Sequence, residues 1–422
     1  MFSKIMHDGV GVLASLLRST LLVICSGVLV LPVTAAAQPV TFTDAEVQRI
    51  LGFGPWPGTV PQDPGNEFSD SMSAEALGKK LFADPGLSLN GEVSCRSCHE
   101  PKLAYTDGLT VSEGVDGKLH VRNTQGLADS GLQRWWGWGG GADSQWAAAL
   151  RPLLSPIEMA NTIEGLASYL RDHADYGSAL KGDVEDALSD QQLVVRAAKY
   201  IAAFTRTIRS LPTPFDAFRT ALKEGDTAVQ QQYPESAKRG LKIFLGDANC
   251  HVCHLGPNFS NGEFHDTGRP FFTGVGQVDS GRYSGIQRVR NHPYSLLGEF
   301  NGTDKEDEKR KTRSVRLGQA NWGQWRTPSL RSLLYTAPYM HDGSLESLDD
   351  VVESYANIDP DRLHSQGESI LKPLDLSEAD KDALVCFLES LSSLTLVSAL
   401  SSEEISAENR ENTAAFVCAS EQ

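Results

Sequence analysis

Between Leu193 and Ile208 apolar residues stand at positions 193, 197, 201, 204 and 208, the spacing of a helix that buries one face. The segment LPTPF (211–215) ends such a helix, because each proline removes a backbone donor. Near the other end, LSEADKDALVCFLESL (376–391) opens with Ser377 and Asp380 in capping-box spacing. It carries Leu384, Phe387, Leu388 and Leu391 on one face. Two-residue alternation is scarce along the chain, so little β structure is expected. GKKLF (78–82) and GLKIF (240–244) repeat one another, which predicts two related helical domains. Polar KEGDTAVQQQYPES (223–236) separates them. The pattern therefore predicts an all-α fold with domains at residues 38–225 and 226–400, and a polar tail at 401–422.

The N-terminus follows a different pattern. Lys4 and Arg18 precede the apolar run LLVICSGVLVLPVTAAA (21–37), which ends in small residues. This reads as a secretory signal peptide, residues 1–37. The run is short for a membrane span and Pro32 breaks it, so no span is expected after cleavage. The rest of the chain would be exported and periplasmic. The 422 residues carry a net charge of −16. Removing Lys4, Arg18 and Asp8 leaves 36 basic and 53 acidic residues, a net −17. Such an acid excess argues against nucleic-acid binding.

Of seven cysteines, Cys25 falls in the leader and four form two identical patterns. CRSCH supplies Cys95, Cys98 and His99, and CHVCH supplies Cys250, Cys253 and His254. C-x-x-C-H is the attachment signature of c-type haem. Two thiols on one turn can form thioethers with both vinyl groups, and the next residue sets an imidazole under the iron. A redox dithiol or half a zinc site would use the same residue types. Two copies in an exported chain favour two covalently bound haem c groups. Cys386 and Cys418 remain. They can form a disulfide in an oxidising compartment, or Cys386 can be a buried free thiol.

These motifs, with ADSQWAAALRPLLSPIEM (142–159) between them and RTPSLRSLLYTAPYMHDGSLESL (326–348) after the second, resemble the di-haem cytochrome c peroxidase/MauG superfamily. The likeness spans roughly residues 70–392. It implies two cytochrome-c-like domains whose haems face a common interface, with His99 and His254 as proximal ligands. Residue chemistry alone offers Met340, His341 and Tyr355 as further ligands of the second haem. Ordinary peroxidases of the family place a methionine 14 residues after the histidine of P-Y-[FM]-H-D-G. Here that position is Tyr355, which implies His254/Tyr355 ligation as in MauG-like members. The displaceable histidine of ordinary members falls on Val115, with His120 off register. The first haem is then expected to be five-coordinate and open to hydrogen peroxide.

The resemblance assigns the distal acid to Glu158 and an inter-haem tryptophan to Trp138, with Trp135 and Trp136 as packing or surface aromatics. It also implies one calcium ion, held by the Asn123 side chain and the carbonyls of Thr336 and Pro338. The implied activity is oxidation of a tryptophan on an exported partner protein through a high-valent di-haem state formed by peroxide. Ala248 stands where MauG itself has an exit tryptophan, which argues against methylamine dehydrogenase as substrate. DSQWAAAL (143–150) is closer to the methanobactin-associated branch. Trp322 and Trp325 are the candidate exit points. The alternative is a peroxidase that reduces peroxide with electrons from a small cytochrome or cupredoxin. An electron-transfer cytochrome would instead have two six-coordinate haems.

Overall fold

Gly78 and Gly240, the first residues of the two repeated segments, are both places where helices cross at backbone contact. The computed structural model describes residues 39–181, 187–269, 272–274, 277–359, 361, 370–393 and 418. The expected signal peptide and, apart from Cys418, the polar tail lie outside these residues. In chain order the helices are α1 (Asp44–Leu51), α2 (Met72–Ala83), α3 (Cys95–Cys98), α4 (Gln145–Leu154), α5 (Ile163–Asp172), α6 (Gly177–Lys181) and α7 (Asp190–Thr205). There follow α8 (Pro214–Glu224), α9 (Thr227–Gln232), α10 (Glu235–Leu245), α11 (Arg282–Asn291), α12 (Glu306–Ser314), α13 (Leu348–Ala356) and α14 (Glu378–Glu389). Helix dominates, as expected. Among the described residues the β structure is two antiparallel pairs, β1 (Phe264–Asp266) with β4 (Gln324–Arg326) and β2 (Phe272–Gly274) with β3 (Gln277–Val278).

The helix pairs α2·α7 and α10·α14 repeat one packing solution. A Cβ on Gly78 would lie 1.9 Å from the Tyr200 carbonyl oxygen, and one on Gly240 would lie 1.9 Å from that of Ala383. Glycine inside a helix costs about 1 kcal/mol against alanine. Here its lack of a side chain lets the partner helix approach. The phenylalanine four residues on, Phe82 or Phe244, is buried in each copy.

Helix α7 is buried around most of its circumference, because α2, α4 and α5 all pack on it. Val194, Val195, Ala198 and Ala202 are therefore as buried as the expected face. The helix stops at Thr205, and Ile208 is buried beyond its end. Ser377 and Asp380 form the expected capping box at the start of α14. Around α7 lies one core, with Leu81, Trp146, Leu166 and Ile201. A second gathers Phe215, Phe244, Phe259 and Phe387. Helix α1 joins the second core through Ile50, and Phe53 just after it stacks on Phe259 with ring centres 4.7 Å apart.

Cys386 on α14 is bonded to Cys418, which settles the choice left open by the sequence in favour of a disulfide. Both residues are buried in the second core. The sequence separation is 32 residues, for which chain entropy predicts roughly 3–4 kcal/mol of stabilisation. Thioethers resist reductants, so dithiothreitol is expected to lower the melting temperature of the native protein and leave a Cys386→Ala/Cys418→Ala variant unmoved. Equal shifts in both would mean that the bridge contributes nothing.

Candidate active site

Each C-x-x-C-H segment folds into one tight turn. The His99 N–H reaches the Cys95 carbonyl at 3.0 Å, and the His254 N–H reaches that of Cys250 at 2.9 Å. None of these four cysteines is in a disulfide. Each histidine ring is then fixed in the same way. Nδ1 of His99 lies 2.9 Å from the Tyr105 carbonyl, and Nδ1 of His254 lies 2.9 Å from the Phe259 carbonyl. A carbonyl can only accept, so Nδ1 carries the proton and Nε2 keeps a lone pair for a metal. Burial holds both rings neutral, pushing His254 down to about 4 and lowering His99 as well. Burial also raises the thiols, Cys95 to about 12 and Cys98 to about 11. A redox dithiol needs the reverse.

Two cavities open over these turns. One, of about 630 Å³, is lined by Cys250, Cys253, His254, Met340 and Tyr355, with Phe244 of the repeat in its wall. The other, of about 220 Å³, is lined by Cys95, Cys98, His99, His120, Arg151 and Glu158, with Phe82. Asn123, Thr124, Gln125, Gly126, Gln133 and Trp138 line both, so they form a shared wall. The Trp138 Nε1–H donates to the Asn123 carbonyl at 2.9 Å, and the Trp138 carbonyl accepts the Arg326 N–H at 2.9 Å. Trp135 and Trp136 are buried packing residues. Trp136 Nε1–H donates to the Ser130 carbonyl, and Trp135 lies under the Arg282 guanidinium.

Tyr355 projects from α13 into the larger cavity. Tyr233, Tyr335 and Tyr339 each hydrogen-bond a serine or backbone oxygen. The Tyr355 hydroxyl has no such partner among the described residues, although tyrosine hydroxyls inside proteins usually find one. Burial, then the nearby Cys250 and Cys253, push its pKa up to about 12, with Arg269 opposing. Thioether formation would remove the two thiol contributions. Met340 also lines this cavity. His341 lines it too, stacked on Trp325 with ring centres 3.6 Å apart, while its carbonyl accepts the Asn123 N–H.

A residue that motif reading misses is Arg326 on β4. It is 3% exposed, lines the larger cavity, and its Nε has no hydrogen-bond partner. Burial alone lowers its pKa to about 10. A buried guanidinium without a counter-ion is costly. A haem would answer that need with a propionate carboxylate, so the cavity fits such a group in charge as well as in its thiols and imidazole. In the haem-loaded protein Arg326→Gln is expected to lower the potential of one haem by on the order of 50–100 mV, the effect of one charge at an effective dielectric near 20. Spectroelectrochemistry measures it, and unmoved potentials would mean that Arg326 faces no haem carboxylate.

In the smaller cavity Arg151 grips Glu158 with both ends of its fork, at 2.9 and 2.9 Å. Burial raises the Glu158 carboxyl, but Arg151, Ser155 and His120 outweigh it and hold the pKa below the ordinary value. Glu158 therefore starts as a carboxylate, able to accept a proton. Val115 is buried and gives its N–H to the Glu158 carbonyl at 2.9 Å. That contact requires Gly114, where a Cβ would lie 1.9 Å from the Ile157 carbonyl oxygen. Arg151 as the partner of Glu158 carries no motif.

Asn123, Thr336 and Pro338 all line the larger cavity. The Asn123 amide donates to the Leu109 carbonyl at 2.9 Å, leaving its oxygen available. Of the two expected exit tryptophans, Trp325 is 4% exposed and cannot itself meet a partner protein. Trp322 is half-buried and packs beside Tyr283 with ring centres 5.2 Å apart.

A family model described as di-haem cytochrome c peroxidase matches residues 72–224. Cytochrome-c peroxidase IdrP1 of Pseudomonas sp. (strain SCT) is 32% identical over 375 residues, covering 85% of this chain and 89% of its own. Methylamine utilization protein MauG of Methylorubrum extorquens is 31% identical over 371 residues, covering 87% and 89%. Among solved structures, a MauG-like protein associated with microbial copper homeostasis matches with a TM-score of 0.58 and 28% identity. That match covers 82% of this chain and 97% of the other.

Proposed function

The chain belongs to the di-haem cytochrome c peroxidase and MauG family, and on that premise we propose that it uses hydrogen peroxide to oxidise a tryptophan of an exported partner protein. Two covalently attached haems supply the redox chemistry when bound. Peroxide takes up two electrons and two protons to become two waters, and in this reading the electrons come from the partner residue. His99 and His254 each present Nε2 to one haem. The Glu158 carboxylate, held by Arg151, accepts a proton from one peroxide oxygen and returns it to the other. Trp138 lies in the shared wall, where an indole can pass oxidising equivalents between the sites, and Trp322 with Tyr283 is the exit to the partner. The oxygens of Asn123, Thr336 and Pro338 suit a calcium ion, which takes oxygen ligands only. The apolar leader and the buried disulfide favour the periplasm.

The observation that carries this reading is Tyr355, which lines the His254 cavity and whose hydroxyl has no hydrogen-bond partner among the described residues. A phenolate is a hard anionic ligand that favours ferric iron, unlike the methionine of an electron-accepting haem. The second reading, peroxide reduction with a small redox protein as donor, is favoured by the name of the IdrP1 relative. The deciding experiment is mass spectrometry of an exported protein encoded beside this one, incubated with the enzyme and peroxide. A mass change on a tryptophan peptide that needs both is expected. Steady turnover with a reduced small cytochrome and no mass change would move the protein to the second reading.

A further inference from the structure

Sequence register leaves His120 without a role, yet the structure places its ring in the wall of the smaller cavity. Glu158 and Arg151 of the same cavity are near enough to act on it electrostatically. Its loop is tied down, since the His120 N–H donates to the Ser112 carbonyl at 2.8 Å. The ring itself is held by a local contact that His173 and His292 also make, at 3.3 Å. The backbone N–H of Arg122 donates to His120 Nδ1 at 3.0 Å. Arg122 is in turn fixed to Asp279 by two hydrogen bonds, at 2.6 and 2.7 Å.

A ring nitrogen that accepts a hydrogen bond carries no proton. Burial keeps His120 below the ordinary histidine pKa, so the ring is neutral and its one proton sits on Nε2. This is the opposite tautomer to His99 and His254, whose Nδ1 atoms face carbonyls and leave Nε2 bare. Those two can bind a metal through Nε2. To do so His120 would have to give up the Arg122 hydrogen bond and move its proton to Nδ1, or lose the proton altogether.

We propose that His120 is a fixed hydrogen-bond donor in the peroxide cavity, presenting Nε2–H to the departing peroxide oxygen, and is not an iron ligand. The proposal rests on the reading that peroxide reacts in the cavity of His99. Glu158 and His120 then divide the work. The carboxylate moves the proton between the two oxygens, and the imidazole stabilises the negative charge that builds as the O–O bond breaks. The ring proton stays on Nε2 throughout. A donor already oriented by the backbone needs no reorganisation at that moment, which is where such groups act most strongly.

Fluoride is the probe, because it binds ferric haem only at an open position and is held there by a neighbouring donor. In the haem-loaded protein, His120→Ala is expected to keep one haem high-spin. It should weaken fluoride binding by about 10–100-fold, the usual loss for one hydrogen bond to an ion. The peroxide reaction should slow by about 10²-fold or more. His120→Asn, whose amide also donates, should recover part of both losses. If His120→Ala fails to take up haem, His120→Asn against His120→Leu makes the same comparison of donor with non-donor. Unchanged fluoride affinity without the donor overturns the proposal. So does a native protein with two low-spin haems that gains a high-spin haem when His120 is removed. A partner protein left unmodified while both effects persist would count against the proposed function and leave the His120 assignment standing.

Discussion

Glu158→Gln is expected to slow the reaction of the haem-loaded protein with peroxide by about 10²–10⁴-fold, the range of general acid–base assistance, with the resting spectra of both haems unchanged. Glutamine keeps the shape and can still accept from Arg151 through its carbonyl oxygen, but it cannot take a proton. Stopped-flow spectra give the rate. An unaltered rate would reduce Glu158 to an anchor for the loop that carries Val115. The pH dependence has a definite sign. The Glu158 pKa lies below the ordinary 4.5, so the active carboxylate persists from neutral pH through that value. The contribution is lost only as pH falls through the depressed pKa.

Tyr355→Met is expected to raise the reduction potential of the C-terminal haem by on the order of 0.1–0.4 V, within the roughly 0.8 V that axial ligands span. A soft, neutral thioether would replace a hard anion and favour the ferrous state. Oxidation of the partner protein should be lost, whereas peroxide should still react beside His99, so simple peroxidase turnover can survive. Tyr355→Phe, which offers no ligand atom, should instead leave that haem open and high-spin. Spectroelectrochemistry together with partner mass spectrometry reads the result. A methionine variant with native potential and a modified partner would make Tyr355 a packing residue and return attention to Met340.

The sequence was most legible where one residue type has one use. The two C-x-x-C-H turns, the helical periods of α7 and α14, and the Ser377–Asp380 cap all follow from local spacing. The repeated glycine was visible, but its use was not, because the Tyr200 and Ala383 carbonyls that require it lie more than 100 residues away. The same holds for α1, which precedes the first haem motif yet packs in the core of the second. The site's electrostatics were hidden for a different reason. Arginine is common and has no motif, so Arg151 gripping Glu158, and Arg326 buried without a counter-ion among the described residues, emerge only once the cavity walls are assembled. His120 was visible as a residue, but its tautomer depends on a single backbone N–H, that of Arg122.

The wall common to both cavities also bears on the order of assembly. Asn123, Trp138 and the four other residues of that wall line both cavities, so each haem, when bound, would complete part of their surroundings. Attachment of the first group would pack these residues on one side, with Trp138 anchored by two backbone hydrogen bonds. Arrival of the second fixes the whole partition. Loading is therefore expected to be cooperative, and limited proteolysis should cut a half-loaded chain faster than a fully loaded one.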